Sequence, residues 1–119
     1  MAVSRVAVSR LVKQLESMRE RPSMFVRRDD LEAIVHFFIG FRLAAHAALG
    51  VDQDWELEER ILKSHGLKRT PVHPGLFMAM NGTPLEQVPS RLVEIEIDYW
   101  FKRYAGVARN RRPVNRRPK

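Results

Sequence analysis

The chain has 119 residues, of which 45% are hydrophobic and 29% charged, a balance that suits one globular domain with a modest core. It contains no cysteine, which excludes disulfides, thiolate metal sites and a cysteine nucleophile and fits a cytoplasmic location. The net charge of +7 is uneven, because residues 106–119 hold six of the 21 basic residues and no acid.

The first predicted helix covers residues 4–19. Its apolar side chains recur at spacings of three and four residues, at Val8, Leu11, Val12, Leu15 and Met18. Ser4 is placed to cap its N-terminus, where a side-chain oxygen accepts a hydrogen bond from an otherwise unpaired backbone N–H. Pro22 ends it, because the residue before a proline is driven out of the α region.

A second helix is predicted over residues 31–49, with Asp29 or Asp30 as its cap and Gly50 as its stop. Apolar residues cover most of its circumference, which predicts a helix at the centre of the fold. Gly40 in its middle predicts the close approach of another helix, since glycine otherwise costs helix stability. Its length approaches that of a membrane span, but a charged Arg42 within it disfavours one.

A third helix is expected from Asp52 over residues 53–65, and its strongly acidic first turns are typical of a solvated helix end. Residues 66–83 are rich in glycine and proline and predict mostly a loop, with one helical turn at "LFMAM". Thr83 begins "TPLE", the pattern of a helix-capping box. Pro89 is expected to interrupt the following segment, and Ser90 to begin a new helix.

The last element, residues 91–104, fits two periods. Val93, Ile95 and Ile97 alternate as in a strand, whereas Val93, Ile97 and Trp100 follow one face of a helix. Its length and the cap at Ser90 favour a helix. We therefore predict an all-α bundle of about four helices over residues 1–105, followed by a disordered basic tail over residues 106–119.

No pattern in the sequence predicts catalysis, a cofactor or a metal. His36 and His46 are ten residues apart on one helix, not the four of a zinc-binding pair. Two of the four histidines are expected to pack between helices, and the other two, His65 and His73, to lie at the surface. The carboxylates at 52–59 and at 94–98 are expected to be solvated, so we predict that the protein is not an enzyme.

The stretch "LESMRERPSMFV", residues 15–26, carries two resemblances. It is similar to the R-K-R-P-G-M-Y run in the N-terminal strap of gyrase B-type ATPases. The helix that follows has neither Asn nor Asp for ATP and magnesium, and the glycine-rich lid is missing, so no ATPase is implied. It also resembles small bacterial helical proteins that open with a helix, an R-P-x-M-Y/F motif and a long apolar helix. The residues that match are Arg21, Pro22, Met24, Phe25 and Gly40, with Ser23 where glycine is usual.

The second resemblance implies a partner-binding helical module of immunity or antitoxin type. From the residues themselves, the motif is expected to form a corner in which Pro22 ends one helix and Met24 and Phe25 enter the core. A protein interface needs an apolar or aromatic centre within a polar rim. The predicted partner-binding residues are therefore Asp52, Asp54, Trp55, Glu58, Glu59 and Phe77.

The alternative function is nucleic-acid association through the basic tail and the arginine-rich first helix. Arginine and lysine side chains neutralise phosphates without reading sequence, so such binding weakens steeply with salt. The tail residues expected to make these contacts are Arg109, Arg111, Arg112, Arg116, Arg117 and Lys119.

Overall fold

The computed structural model describes residues 4–21 and 29–104, which form five α-helices and one 3₁₀ turn. The helices are α1 (Arg5–Glu20), α2 (Leu31–Leu49), α3 (Trp55–Ser64), α4 (Pro74–Met80) and α5 (Val88–Arg103), with the 3₁₀ turn at Leu85–Gln87. The predicted all-α class is confirmed, and no strand occurs within these ranges. A fifth helix appears because part of the predicted loop is helical.

The ends of α1 and α2 follow the sequence. The Ser4 hydroxyl accepts a hydrogen bond from the Ala7 backbone N–H at 3.2 Å, and an Asp30 carboxylate oxygen accepts one from Ala33 at 3.1 Å. Gly50 ends α2 in the left-handed conformation, with φ of 68°. These contacts satisfy backbone groups that have no partner within the helix.

α5, not α2, occupies the centre of the described fold. It buries eight residues, among them Tyr99 and Trp100, and α1 packs along it over the longest interface, with α3, α4 and α2 around the rest. The prediction of a central α2 was wrong: α2 buries only Ile34, Phe38 and Ala45. By length and composition α2 is apolar enough to cross a membrane, a test that core helices of soluble proteins also pass.

The close approach predicted at Gly40 occurs elsewhere. Gly40 is exposed, and a Cβ built on it meets no described atom within 4 Å. Gly75 is the glycine that permits close packing, since a Cβ there would lie 2.9 Å from Leu92 Cδ1 on α5. It follows that α4 contacts α5 through a position that only glycine fits without a shift.

Three predicted helix starts were wrong. α3 begins at Trp55 and is capped by Asp54, not Asp52. Thr83 forms no capping box; its hydroxyl accepts a hydrogen bond from Arg91, and the 3₁₀ turn that follows has no side-chain cap. α5 starts at Val88 and not at Ser90. Pro89 does not interrupt it, because Pro89 lies in the first turn, where a backbone N–H would have no partner within the helix. Ser90 therefore lies inside the helix, and the helical interpretation of residues 91–104 is confirmed up to Arg103.

Candidate functional site

One cavity of about 510 Å³ opens between α2, α3, α5 and the segment that precedes α4. Its walls are largely apolar, with Ile39 and Leu43 from α2, Leu62 from α3, Val72 from the segment before α4 and Pro74 from the start of α4. Ligand sites are typically concave, mostly apolar and supplied with a few polar groups that fix orientation. This cavity has that composition, since its walls are mostly apolar and a charged cluster forms the polar part of its lining.

The charged cluster consists of Arg42 from α2, Glu58 from α3 and Glu96 from α5. Arg42 Nη1 donates to a Glu58 carboxylate oxygen at 2.8 Å, and Arg42 Nη2 lies 2.8 Å from Glu96. Arg42 Nε also donates to both Glu96 oxygens at 3.0 Å. The three side chains are only 8–13% exposed, so water screens these contacts little.

Neighbouring polar groups complete the cluster. Gln53 accepts from Arg42 at 2.9 Å and donates to Glu58 at 3.2 Å, and Trp100 Nε1 donates to Glu96 at 3.1 Å. The Arg42 guanidinium also lies 3.9 Å from the centre of the Tyr99 ring. A buried charge is tolerated only when it is paired and hydrogen-bonded, and these contacts meet that condition for Arg42.

Electrostatics keep Arg42 charged. Burial alone lowers the pKa of Arg42, but Glu96 and Glu58 together raise it above its ordinary value. Burial raises the pKa of Glu96. Both Glu96 oxygens nevertheless accept hydrogen bonds from Arg42, which favours the carboxylate at neutral pH. The three side chains then carry a formal charge of −1.

Two histidines of the cavity wall are held neutral. Burial lowers the pKa of His73 to about 4, and His73 Nδ1 accepts a hydrogen bond from the Gly75 backbone N–H at 3.0 Å. Its proton is therefore on Nε2. Burial, followed by the charge of Arg42, also lowers the pKa of His46, which packs edge-on against Trp100. His46 Nε2 is buried and has no partner among the described residues.

The expected roles of the histidines were only partly right. His36 does not pack between helices but is exposed on α2. His73 is half-buried and caps α4, and His65 pairs with Asp98 at 2.7 Å. No group of three or more metal-ligating side chains occurs among residues 4–21 and 29–104.

The six predicted partner-binding residues lie in different places. Trp55 and Glu58 both line the cavity, Trp55 exposed at the start of α3 and Glu58 in the buried cluster. Asp54 caps α3 and donates its backbone N–H to the Tyr99 hydroxyl. Asp52 is exposed, Glu59 is half-exposed and 3.9 Å from Lys63, and Phe77 is half-buried on α4. Their role in binding stays a prediction.

Other predicted residues fall outside the described ranges. Arg21 ends α1 and is exposed, but the corner formed by Pro22, Met24 and Phe25 is not described. The tail contacts expected at Arg109, Arg111, Arg112, Arg116, Arg117 and Lys119 also lie beyond the described chain, as do the proposed boundary at residue 105 and the tail itself.

Sequence reasoning missed the cluster by treating its acids as solvated. Glu96 is buried, and the neighbouring acids pair instead of staying free: Glu94 with Arg19 and Asp98 with His65. One signal was present. Glu96 lies three residues after Val93 and four before Trp100, which places it on the buried face of α5.

Comparison with protein-family models, with curated proteins and with solved structures gave no match for this chain. The site is therefore interpreted from its own geometry.

Proposed function

We propose that this protein is a non-catalytic binding module that docks a protein partner over the mouth of the cavity. The observation that carries the proposal is the clustering of exposed apolar side chains. Five large apolar side chains are exposed among the described residues, and Ile39, Leu43 and Trp55, at 41%, 63% and 55%, line this one cavity. Exposed apolar surface in one place is typical of an interaction site.

The surroundings of these side chains support an interface. Exposed or half-exposed acids on and before α3, at Asp52, Glu56 and Glu59, supply a polar rim next to Trp55. Aromatic side chains inside a polar rim carry much of the energy in protein interfaces. A partner with an apolar patch fits this surface best, with basic side chains opposite the acids of α3 and acidic ones opposite the exposed Lys68 and Arg69.

Several polar groups of the cavity are already engaged, which supports binding over catalysis. Glu96 accepts from Arg42 and Trp100, and the Thr70 hydroxyl is bonded to the backbone of Val72. His73 Nδ1 caps α4 and is not free to accept a proton from a substrate. In its most specific form, the proposal is an immunity or antitoxin protein that neutralises a toxin or effector by stoichiometric binding.

The test is capture of a partner by the purified full-length protein, followed by reconstitution of the complex. Leu43→Ser removes an apolar side chain from the cavity mouth, and Met80→Ser removes one of similar exposure, 67%, that does not line it. We expect a one-to-one complex that survives Met80→Ser, is lost in Leu43→Ser and inhibits the partner's activity. Equal capture by both variants contradicts the proposal.

Nucleic-acid association through the basic tail is the alternative proposal, supported by the six basic and no acidic residues of 106–119. It predicts binding to DNA or RNA that weakens steeply with salt and is lost when residues 107–119 are deleted. Binding that survives the deletion unchanged excludes the tail as the contact.

A further inference from the structure

Only one of the two carboxylate oxygens of Glu58 accepts hydrogen bonds from described residues. Its Oε1 accepts hydrogen bonds from Arg42 and Gln53, whereas no described residue donates to its Oε2. Glu58 lines the cavity and its side chain is 13% exposed. The second carboxylate oxygen of Glu58 is therefore an acceptor at the cavity that no described residue uses.

We propose that the cavity binds a guanidinium or alkylammonium group on a short apolar stem, with Glu58 as its counter-charge. Within the buried cluster the charges favour a cation, because the one guanidinium of Arg42 faces the two carboxylates of Glu58 and Glu96. The other two cations of the lining, Lys68 and Arg69, are exposed. An anion placed in the cavity would meet the same two carboxylates, and Arg42 already directs its donors at them.

The histidines of the wall do not oppose a cation. His73 and His46 are neutral, since burial lowers the pKa of each. An ammonium has three N–H donors and a guanidinium has more, so either group can use acceptors besides Glu58.

The apolar walls fit the stem of such a group. Ile39, Leu43, Val72 and Pro74 line the cavity around the charged cluster. The volume of about 510 Å³ lies within the range of small-ligand sites and exceeds the needs of one side chain. A lysine or arginine stem buries its methylene groups on such surface while its charged end reaches a carboxylate.

The Trp55 ring provides a second contact for a cation. The Arg69 guanidinium lies 4.5 Å from the centre of this ring, so the protein itself already places one cation there. Lys68 and Arg69 are exposed at the rim. Water and salt screen exposed charges far more than nearly buried ones, so Lys68 and Arg69 oppose cation binding less than their formal charges suggest.

The inference rests on the proposed function only for the source of the cation, which is either a side chain of the protein partner or a free amine. The site itself is tested with the purified chain and small probes. The protein has two tryptophans, so an NMR spectrum of the ¹⁵N-labelled chain contains two indole N–H signals. Trp55 reports on the cavity mouth, and Trp100, whose N–H donates to Glu96, reports on the cluster.

Butylguanidinium and butylammonium are titrated separately into the full-length chain. We expect saturable shifts of both indole signals with a dissociation constant of about 1 mM, and none with butyrate at the same concentrations. No saturable binding of either cation, or equal binding of butyrate, overturns the inference.

Two variants and one control locate the cation. Glu58→Gln keeps an acceptor for Arg42 but removes the charge, and should weaken binding about tenfold or more. Glu16→Gln makes the same change at an exposed position of α1 that does not line the cavity and should leave binding unchanged. Val72→Phe narrows the cavity while keeping every charge, so it remains informative if Glu58→Gln does not fold. Unaltered binding in Val72→Phe, or equal loss in Glu58→Gln and Glu16→Gln, excludes this site.

Peptides identify the source. A capped Gly-Gly-Arg-Gly-Gly peptide binds if the cation is a partner's side chain, and its citrulline counterpart does not. If butylguanidinium binds and the arginine peptide does not, the cation is a free amine and not a partner's side chain. If partner capture depends on Leu43 but no cation binds, this inference is wrong and the proposed function is retained. If a cation binds but no partner is captured, the proposed function is wrong and this inference is retained.

Discussion

The two sides of α5 carry the same pair of residue types and use them differently. On the α1 side, Arg19 lies 3.3 Å from Glu94, and both side chains are about 40% exposed, at 39% and 43%. On the α2 side, Arg42 lies 2.8 Å from Glu96, two residues further along α5, with both nearly buried. One side is closed by apolar packing, whereas the other leaves a cavity beside its charges.

This difference separates a scaffold from a candidate site. Apolar contacts stabilise a fold without any need for charged groups. An exposed ion pair adds at most about 1 kcal/mol to the free energy of unfolding. A buried ion pair is weak support for stability, because desolvation of the charges offsets most of their attraction. We therefore interpret the α1 side as the support of α5 and the α2 side as the part adapted for binding.

The largest expected effect on stability comes from replacing Arg42 by Met, compared with the same substitution of Arg19 on the other side of α5. Arg42→Met leaves Glu58 and Glu96 buried without their counter-charge and should lower the free energy of unfolding by about 3–5 kcal/mol. Arg19→Met removes an exposed partner and should cost less than about 1 kcal/mol. Urea denaturation of both variants measures the difference. Equal losses would show that burial does not distinguish the two pairs.

A triple variant sharpens this result. Replacing the cluster with apolar side chains, as Arg42→Met, Glu58→Leu and Glu96→Leu together, removes all three buried charges. Such replacements are often neutral or stabilising, so the triple variant should recover most of the stability lost in Arg42→Met. It should nevertheless bind no butylguanidinium.

The next effect belongs to the α1 side. Leu15 is fully buried in the core, and Leu15→Ala should lower the free energy of unfolding by about 3 kcal/mol through lost contacts and the space left behind. Cation binding, measured where the variant is folded, should be unchanged. Weakened binding in a folded Leu15→Ala chain would show that the two sides of α5 are not separable.

A smaller effect depends on pH. Burial lowers the pKa of His73 from 6.5 to about 4, so the unfolded chain takes up the proton before the folded one. Stability is therefore full above about pH 6.5 and is lost as pH falls towards 4, by about 2 kcal/mol after allowance for partial exposure. His73→Asn keeps a capping acceptor and removes this titration. Between pH 7 and pH 4.5, measured by denaturation curves, the free energy of unfolding should fall by about 2 kcal/mol more in the wild type than in the variant. An equal fall in both would show that His73 does not contribute.

The smallest effect on stability is expected at the cavity mouth. Leu43 is 63% exposed, so Leu43→Ser should change the free energy of unfolding by no more than about 0.5 kcal/mol. Partner capture should be lost all the same. A large loss of stability, measured by thermal unfolding, would mean that Leu43 supports the fold and not an interface.

Local signals made much of the fold predictable from sequence. The caps at Ser4 and Asp30 and the stop at Gly50 depend on residues within one turn, so they are visible in a single sequence. The position of α2 was not predictable in this way. Its apolar circumference indicated a central helix, but the residues that bury a helix belong to the rest of the chain.

The charged cluster depends on contacts between distant residues. Arg42 is 16 residues from Glu58 and 54 from Glu96, and no local period links them. What the sequence does contain is a charge within an apolar helix, which requires a partner once the helix packs. Two of the six predicted partner-binding residues, Trp55 and Glu58, lie at the cavity for a local reason, because both belong to the first turns of α3.

Hydrogen–deuterium exchange with and without a reconstituted partner tests the central claim most directly, because it compares the two sides of α5 in one experiment. We predict slower exchange in the complex at residues 39–46 of α2 and 55–59 of α3, with α1 unchanged. Protection confined to α1 or to residues 106–119, with the cavity segments unaffected, would contradict the assignment of the α2 side as the binding site.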